Sequence, residues 1–425
     1  MSNPHAQSEL VQVTRETEVN DGAVVGGPRK RVYGKGISWE AQGDMEDSPL
    51  VTGEGERHDS QPKGRSAKVT VPSVLVYGLN HDELCDWMRV DSFPADVTIS
   101  GTDLEMVADA THADGSTGPA IVSATAGKFS TLVGLSQGAE QLLLISEAWS
   151  TDDNSFPRAI KAVSAQQIDL EPTYVSGVAG EPGAPVQDEA PGADVVLRVG
   201  APVRNGKIQD ARSVNFEGEY TDQDGDFQMI RGCKCGSFKF RINGKGAMEL
   251  EFGYEALDYD TPTATSQGSG EIANSAIDNE MMMGARVKYV LIGGTLNIAR
   301  KNLTMLEITG DGKAESDDDV VGSESSVAVT LASQSYEGSL DVYHSKVASA
   351  RLTALGRGRE VTTLDVVTEP DAKGNFYVFR CRVRFARALS KPGESGRTKG
   401  QFPFRLVRFP NGTRSFIVQA FAGSV

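Results

Sequence analysis

The chain has 425 residues, with Lys+Arg 42 against Asp+Glu 58 and a formal charge of −16 at pH 7. Glycine numbers 46, proline 18 and apolar residues 39%, which is turn-rich material for several modest cores and two or three domains rather than a Leu-rich bundle. No apolar run approaches the ~18 residues of a membrane helix, the polar start MSNPHAQSEL lacks the core of a secretory signal, four scattered cysteines (Cys85, Cys233, Cys235, Cys381) make no disulfide framework, and the acidic balance opposes tight wrapping of duplex DNA, which works by neutralising phosphates.

Residues 1–30 read as a polar arm, either disordered or ordered against a neighbouring subunit. From Arg31 the chain alternates loosely, with Val32, Ile37 and Trp39 as inward candidates, and Gln42 to Ala67 forms a long charged loop or hairpin tip. Val69 and Val71 alternate as in a strand. The run GLNHDELCDWMRV predicts a short helix with Asn80 and Glu83 as a capping box and Leu84, Trp87 and Met88 on one face. ADVTISGTDLEMVADA follows as a strand region. Residues 111–204 change texture: short apolar strings separated by Asp, Gly, Asn and Pro predict a small β-barrel or sandwich, with a Pro/Gly-rich loop from Gly177 to Asp194. Strands resume from Ala211, with Asn243-Gly244 marking a hairpin, and Thr261 to Glu271 reads as a linker. The last part repeats the grammar: strands KYVLIGGTLNIA, LTMLEIT and SVAVTLA, an acidic loop at 311–325, a second helix in HSKVASARLTAL with Ser345 as cap and Val347, Ala350 and Leu355 on one stripe, then four strands ending in TRSFIVQAFA.

Two anchors recur: SAKVTV (from Ser66) with SVAVTL (from Ser326), and SFKFRI-NG with PFRLVRFP-NG. The Val69-to-Asn243 distance exceeds Val329-to-Asn411 by about the length of segment 111–204. Two copies of one β-unit, the first interrupted, account for this. The expected fold is therefore mainly β: a first sandwich unit over 31–110 and 205–260, an inserted β-domain over 111–204, and a second unit over 261–425, each unit with a short flanking helix.

Motifs for chemistry are weak. DQDGDF (Asp222 to Phe227) lacks the bidentate Glu of a calcium loop, and Cys233-Lys234-Cys235 is too tightly spaced for zinc and has no second pair. The five histidines (His5, His58, His81, His112, His344) sit in no triad, and no G-x-S-x-G or P-loop exists. The Met281–Met283 run reads as soft apolar filler or an interface patch. No catalytic, cofactor or metal residue is expected, and the chain is read as a non-enzyme.

The order of elements resembles a family. A polar N-terminus, the long charged loop, a strand, the helix DELCDWM, the insert GKFSTLVGLSQGAEQLLLISEAW, then VNFEGEY, DFQMIRGCKCGSFKFRINGKG and the terminal GNFYVFRCRVRFA and FPFRLVRFPNGTRSFIVQAFA are similar to the tail tube proteins of long-tailed bacteriophages, over roughly 31–425. The long insert and the acidic loop at 311–325 depart from the family pattern. The resemblance implies two tail-tube-like units whose sheet continues into neighbours and closes a ring: a trimer with pseudo-sixfold symmetry, or else a hexamer, stacked into a conduit for DNA ejection. It implies a virion location after synthesis in the bacterial host cytoplasm, with tail tip, tape measure and tail terminator proteins as partners, transient DNA passage without specific binding, and no membrane insertion. Ring-stacking candidates are Asp44, Glu46, Asp47, Glu54, Glu56, Arg57, Lys63, Asp311, Asp317, Asp318 and Asp319. Subunit-interface candidates are the strands of Val69, Val71, Val329, Leu331, Phe238, Phe240, Phe404 and Leu406. Arginines from Arg380 to Arg387 are expected to face partners or the exterior, and the insert to project outward so that its removal leaves tubes intact. The rivals are a β-rich carbohydrate- or host-surface-binding module without tube formation, a one-unit inner tube of a secretion apparatus, and a β-rich hydrolase.

Overall fold

The computed structural model describes residues 11–15, 29–42, 45–47, 60–62, 66–93, 95–133, 142–171, 186–190, 194–204, 206–207, 211–220, 226–268, 270–272, 275–294, 296–298, 302–317, 328–343, 348–386, 390–392, 398–409 and 415–423. The chain opens with β1 (Val11–Arg15), β2 (Arg29–Val32), β3 (Ser38–Gln42), β4 (Met45–Asp47), β5 (Ser60–Pro62), β6 (Ser66–Val74) and α1 (His81–Met88). Next come β7 (Val97–Gly101), β8 (Leu104–Thr111), β9 (Thr117–Ser123), α2 (Ser130–Val133), β10 (Leu143–Glu147), β11 (Arg158–Val163), β12 (Gln167–Leu170) and β13 (Val195–Val199). Then follow β14 (Ala201–Arg204), β15 (Val214–Tyr220), β16 (Asp226–Asn243), β17 (Glu249–Ala256), β18 (Asp258–Tyr259) and β19 (Glu271–Ile272). The remainder is β20 (Val287–Ile292), β21 (Leu296–Asn297), β22 (Leu303–Asp311), β23 (Glu315–Asp317), β24 (Ala328–Thr330), β25 (Ser335–Tyr343), α3 (Ala348–Gly358), β26 (Val361–Thr368), β27 (Phe376–Phe385), β28 (Ser390–Pro392), β29 (Thr398–Leu406) and β30 (Phe416–Phe421). Strand outweighs helix 56% to 10%, so the chain is mainly β, as its alternating runs predict.

The pairings repeat. β1 pairs β2 and β15 as β20 pairs β21 and β26. β3 pairs β6 as β22 pairs β25, and the loop joining each pair carries a small hairpin, β4–β5 or β23–β24. A helix follows in both, α1 or α3. Then β15–β16 matches β26–β27, β16–β18 matches β27–β30, β6–β17 matches β25–β29, and the end of β16 on β17 matches β28 on β29. All of these are antiparallel. Two copies of one topology thus run from β1 to β18 and from β20 to β30.

The match corrects both sequence anchors. SVAVTL supplies β24 in the tip hairpin, whereas the counterpart of β6 is β25, SYEGSLDVY. SFKFRI lies in β16, but PFRL lies in β29, whose counterpart is β17. The arm expected over 1–30 also differs: Val11–Arg15 pairs with β15 of its own chain. The insert begins earlier than residue 111. Its seven strands run β7-β13-β10-β11-β12-β9-β8 and span Val97 to Val199, because Ile99, Leu104 and Met106 point into the same core as Ile121, Leu144, Ile168 and Leu197.

The insert is not loosely tethered. β14 returns from it by pairing with β30 of the second unit, and Leu143 and Ile145 pack on Val367, Phe376, Val378 and Phe421. Gln419, fully buried, accepts from the Leu143 N–H (3.0 Å) and donates to the Leu143 and Gly200 carbonyls. Arg198 of β13 pairs with Asp96 at 3.5 Å and lies over the Phe376 and Phe421 rings. Removing the insert would strip cover from a buried apolar face, which opposes the expectation that its deletion is harmless.

Helix α1 forms where expected, but without the capping box. Asn80 Oδ1 accepts from the Val76 N–H (2.9 Å) and its Nδ2 donates to Ser73 Oγ (2.9 Å), so the side chain fixes the preceding turn. Glu83 is buried, and its Oε2 has no hydrogen-bond partner. Desolvation pushes its carboxyl up to about 8. Leu84, Trp87 and Met88 are fully buried, as their spacing predicts. In α3, Leu352 and Leu355 make the buried stripe while Ala350 is exposed; Ser345 and Val347 lie outside the described residues.

Arg380 was expected at a surface, yet it is 4% exposed. It lies directly across the β26–β27 pairing from Asp365, 3.5 Å away, and burial raises the Asp365 carboxyl to about 6. Stranding one member of such a pair costs about 3–5 kcal/mol. Asp365→Ala is expected to lose stability on that order in urea unfolding, and the double variant Asp365→Leu with Arg380→Met to regain most of it.

Glu83 gives a pH signature. Its folded-state value lies above its unfolded one, so the folded state holds the proton longer and stability falls as pH rises from about 4.5 to 8. Glu83→Gln should flatten that slope. The difference between variant and wild type, measured by urea unfolding at pH 5 and pH 8, should reach a few kcal/mol.

Candidate assembly interface

The two units meet edge to edge. The second half of β16 pairs antiparallel with β22 from Ser237↔Asp311 through Phe240↔Ile308 to Asn243↔Met305. Alternation puts Phe238, Phe240 and Ile242 with Leu306 and Ile308 in one core, and leaves Lys239 and Arg241 on the other face, 3.5 and 3.6 Å from Glu307. Phe240 stacks on Phe379 of the second unit at 4.4 Å. Trp87 stacks on Phe238 at 5.6 Å and covers Gly310, where a Cβ would sit 2.3 Å from the indole. Helix α1 thus clamps the joint from one side, and β22 needs glycine beneath it.

The duplication identifies the counterparts of this joint. β16's half corresponds to β28, and β22 corresponds to β3. Among the described residues β28 pairs only β29 and β3 pairs only β6, so each keeps one unpaired edge. The register equivalence sets Ile37, Trp39 and Ala41 of the β3 region against Leu306, Ile308 and Gly310 of β22, the same order of two large apolar residues and a small one. Unpaired edges of this kind are liabilities unless covered.

The sequence-predicted interface strands are not these edges. Val69 and Val71 lie in β6, Phe238 and Phe240 in β16, and Phe404 and Leu406 in β29, strands that have partners on two sides within the chain. Their apolar side chains fill the internal core: Val69, Val71, Phe238, Phe240 and Phe404 are at most 2% exposed and Leu406 packs against them half-buried. Val329 is buried in β24, with its carbonyl accepting from Lys234 Nζ at 2.9 Å, and Leu331 is half-buried beside it. Among the stacking candidates, Glu46 and Asp47 lie in β4, Asp317 in β23 and Asp311 at the exposed end of β22, its Oδ1 accepting from the Lys313 N–H (2.8 Å). Asp44, Glu54, Glu56, Arg57, Lys63, Asp318 and Asp319 lie outside the described residues. The alternation of Ile37 and Trp39 marks β3 as a strand and β28 is short and polar, but neither pattern says which edge lacks a partner among the described residues; only the shared topology exposes that.

Among the described residues, groups for chemistry stay apart. All four cysteines are free and buried. Burial raises the Cys235 and Cys381 thiols well above the ordinary range, which makes them inert. Among the described residues no group of three His, Cys, Asp or Glu is placed to hold a metal ion, and no helix is long and apolar enough to cross a membrane. A cleft of about 460 Å³ opens at the seam between the insert and the second unit, lined by Glu147, Phe156, Lys288, Tyr289 and Phe376 among others. No family model and no curated protein matches the chain.

Gly310 tests the joint. Gly310→Val drives a side chain into the fully buried Trp87 and is expected to cost about 3 kcal/mol or more in urea unfolding. Gly244→Ala, in the β16–β17 turn where the nearest atom is 3.7 Å from the new Cβ, serves as control and should stay within about 0.5 kcal/mol of wild type.

Proposed function

We propose that this chain is a structural virion protein of the phage tail-tube kind, which closes into rings by its own strand edges and stacks those rings into a conduit for DNA. The carrying observation is the joint of β16 on β22. One chain already holds one such joint, and its duplicated topology leaves the two halves of a second, β28 and β3, at opposite ends of the strand series, each with one edge unpaired among the described residues. Antiparallel addition of β3 from one chain to β28 of the next repeats the internal joint between chains and uses each free edge once. A heterologous contact of this sort generates a ring when its rotation closes; three chains would then supply six units and alternate internal and external joints. The net charge of −16 suits a passage that does not retain a polyanion. On this reading the tail tip, tape measure and terminator proteins are its partners, and it performs no catalysis.

The cleft at the insert seam favours a second reading, in which the chain binds a host-surface carbohydrate without forming tubes. Phe156 and Tyr289 meet edge to face there at 6.2 Å, beside Glu147 and Lys288, a mix of aromatic and charged groups that sugars accept.

The equivalence of Arg241 with Lys391 and of Glu307 with Ser38 sets Lys391 of one chain opposite Ser38 of the next. Directly opposed residues of antiparallel strands have Cα atoms about 4.5–5.5 Å apart, within disulfide range. The double variant Ser38→Cys with Lys391→Cys should oxidise to covalent trimers on a non-reducing gel, and negative-stain images of the wild type should show rings or tubes. A protein that stays monomeric at high concentration, with no crosslinked species, overturns the assembly reading; binding to immobilised glycans by that monomer supports the second.

A further inference from the structure

The long hairpin of the second unit is seated on the first unit through two buried cations. Lys234 of β16, 7% exposed, donates from Nζ to the Val329 carbonyl of β24 (2.9 Å). Arg89, which follows α1 in the left-handed region (φ 58) and is 4% exposed, donates from Nη2 to the Ala332 carbonyl at the base of the same hairpin (2.9 Å). Beside them the Gly312 N–H donates to the Gly236 carbonyl (2.7 Å), and a Cβ on Gly236 would lie 2.3 Å from that of Ala314. The seat continues the β16–β22 joint sideways, just past the end of its ladder at Ser237↔Asp311. Buried charges need partners of this kind, and here the hairpin supplies them.

The duplicated topology gives each part of this seat a counterpart. One constant shift in numbering carries Gln42 to Asp311, Glu46 to Glu315, Ser60 to Val329 and Ser66 to Ser335. It preserves the pairings, Glu46↔Gln61 as Glu315↔Thr330 and Asp47↔Ser60 as Ser316↔Val329. A second shift carries Lys234 to Arg384 and Arg241 to Lys391. Lys234 lies opposite Glu255 as Arg384 lies opposite Arg405, and the Lys68–Glu255 ion pair (3.1 Å) returns with its signs exchanged as Glu337–Arg405 (2.7 Å). Arg89 corresponds to Arg359, which follows α3 in the same left-handed conformation (φ 55). The counterparts differ in one respect. Lys234 and Arg89 are buried under a hairpin, whereas Arg384 and Arg359 are exposed, and neither guanidinium has a hydrogen-bond or ion-pair partner among the described residues.

We propose that Arg384 and Arg359 form the seat for the β4–β5 hairpin of a second copy of this chain, with the Arg384 guanidinium donating to the Ser60 carbonyl of that copy as Lys234 donates to Val329 within the chain. The inference rests on the assembly reading above and adds a lateral contact to its β28–β3 joint, since β3 leads directly into β4. Charge marks the occupant. Arginines directly opposed on neighbouring strands repel, and Glu337 answers only Arg405 of the Arg384–Arg405 pair. The β4 strand brings Glu46 and Asp47, and Asp47 lies directly across from Ser60. Both acids, expected from the sequence to stack rings, serve on this reading within one ring, as charge-assisted partners of the neighbour's exposed arginines.

The test uses the full chain. Arg384→Cys chains mixed with Ser60→Cys chains and treated with a short bis-maleimide should give a covalent pair in isolated rings; the four native cysteines are buried and do not compete. Arg384→Glu with Arg359→Glu should leave the thermal unfolding midpoint within a few degrees of wild type, because both side chains are exposed. In mass photometry the same double variant should form rings with an affinity weakened about tenfold or more. Double-variant rings that form as readily as wild type, or rings that oxidise through Ser38→Cys with Lys391→Cys yet give no link between positions 60 and 384, overturn this inference and leave the assembly reading standing. A link found in tubes and never in isolated rings makes the hairpin an axial contact and also overturns it. Wild-type protein that stays monomeric overturns the assembly reading and this inference together.

Discussion

An antiparallel strand edge has to be completed by something, and that constraint organises the molecule. The β16–β22 joint completes one pair of edges inside the chain with a continuous run of backbone pairing, and it is sealed from both sides. Phe238, Phe240, Leu306 and Ile308 lie beneath it, and Glu307 draws Lys239 and Arg241 together above it. Each backbone hydrogen bond nets only about 1 kcal/mol, so the joint depends on the apolar layer under the ladder. That layer is shared. Phe240 on Phe379 and Trp87 on Phe238 connect side chains from both copies, which makes the pair of units one cooperative core rather than two beads.

How much of this could be read in advance depends on the residues. The helix at Leu84, Trp87 and Met88 was legible because large apolar groups recur at helical spacing in a short window. The Asn243-Gly244 hairpin was legible from its turn dipeptide, and the existence of an insert from its texture. The strand β25 was not. Its inward Gly338 leaves space that Phe404 fills from β29, where a Cβ would lie 2.4 Å from that ring, and its other faces carry Ser, Glu and Asp. Tyr336, Leu340 and Val342 do alternate inward with Glu337, Ser339 and Asp341, but the glycine in the inward row breaks the apolar pattern in two, and the neighbouring SVAVTL drew the assignment instead. Val97–Gly101 and Leu104–Thr111 were legible as a strand region but not as part of the insert, and β1 finds its partner some two hundred positions away, beyond any local pattern. The apolar strands chosen as interfaces were in fact the interior, since strong alternation signals burial and does not distinguish burial within a chain from burial between chains. Which edge of β3 or β28 lacks a partner among the described residues is not written in the local pattern of either strand.

Charge is arranged with equal economy. Arg380, inside a basic run that reads as surface, is neutralised within the core by Asp365. Glu83 is held neutral at physiological pH by burial, and neighbouring His81, stacked on Phe93 at 4.1 Å, is pushed down to about 4 by desolvation and so is neutral as well. Those three sites therefore add little net charge to the interior, where Arg89 and Lys234 are also buried and donate to the Ala332 and Val329 carbonyls. Buried groups of this kind are screened by salt far less than the exposed charges are.

The insert shows why the two copies are not interchangeable. Between α3 and β26 the chain passes almost directly from Gly358 to Val361, whereas the same step in the first copy, from Met88 to Val214, holds a seven-strand domain. The fold tolerates it because the return strand β14 lands on β30 and pairs there, so the insertion ends in a sheet partner and not in a dangling connection. The cost is asymmetry: β30 and the apolar face of Val367, Phe376, Val378 and Phe421 are committed to the insert, and the equivalent face of the first unit is not. In a ring of alternating copies, a domain would therefore stand on every second unit. In the ring proposed above, that would reduce an approximate sixfold to a strict threefold, because packing against the insert gives the two copies of the topology different surroundings.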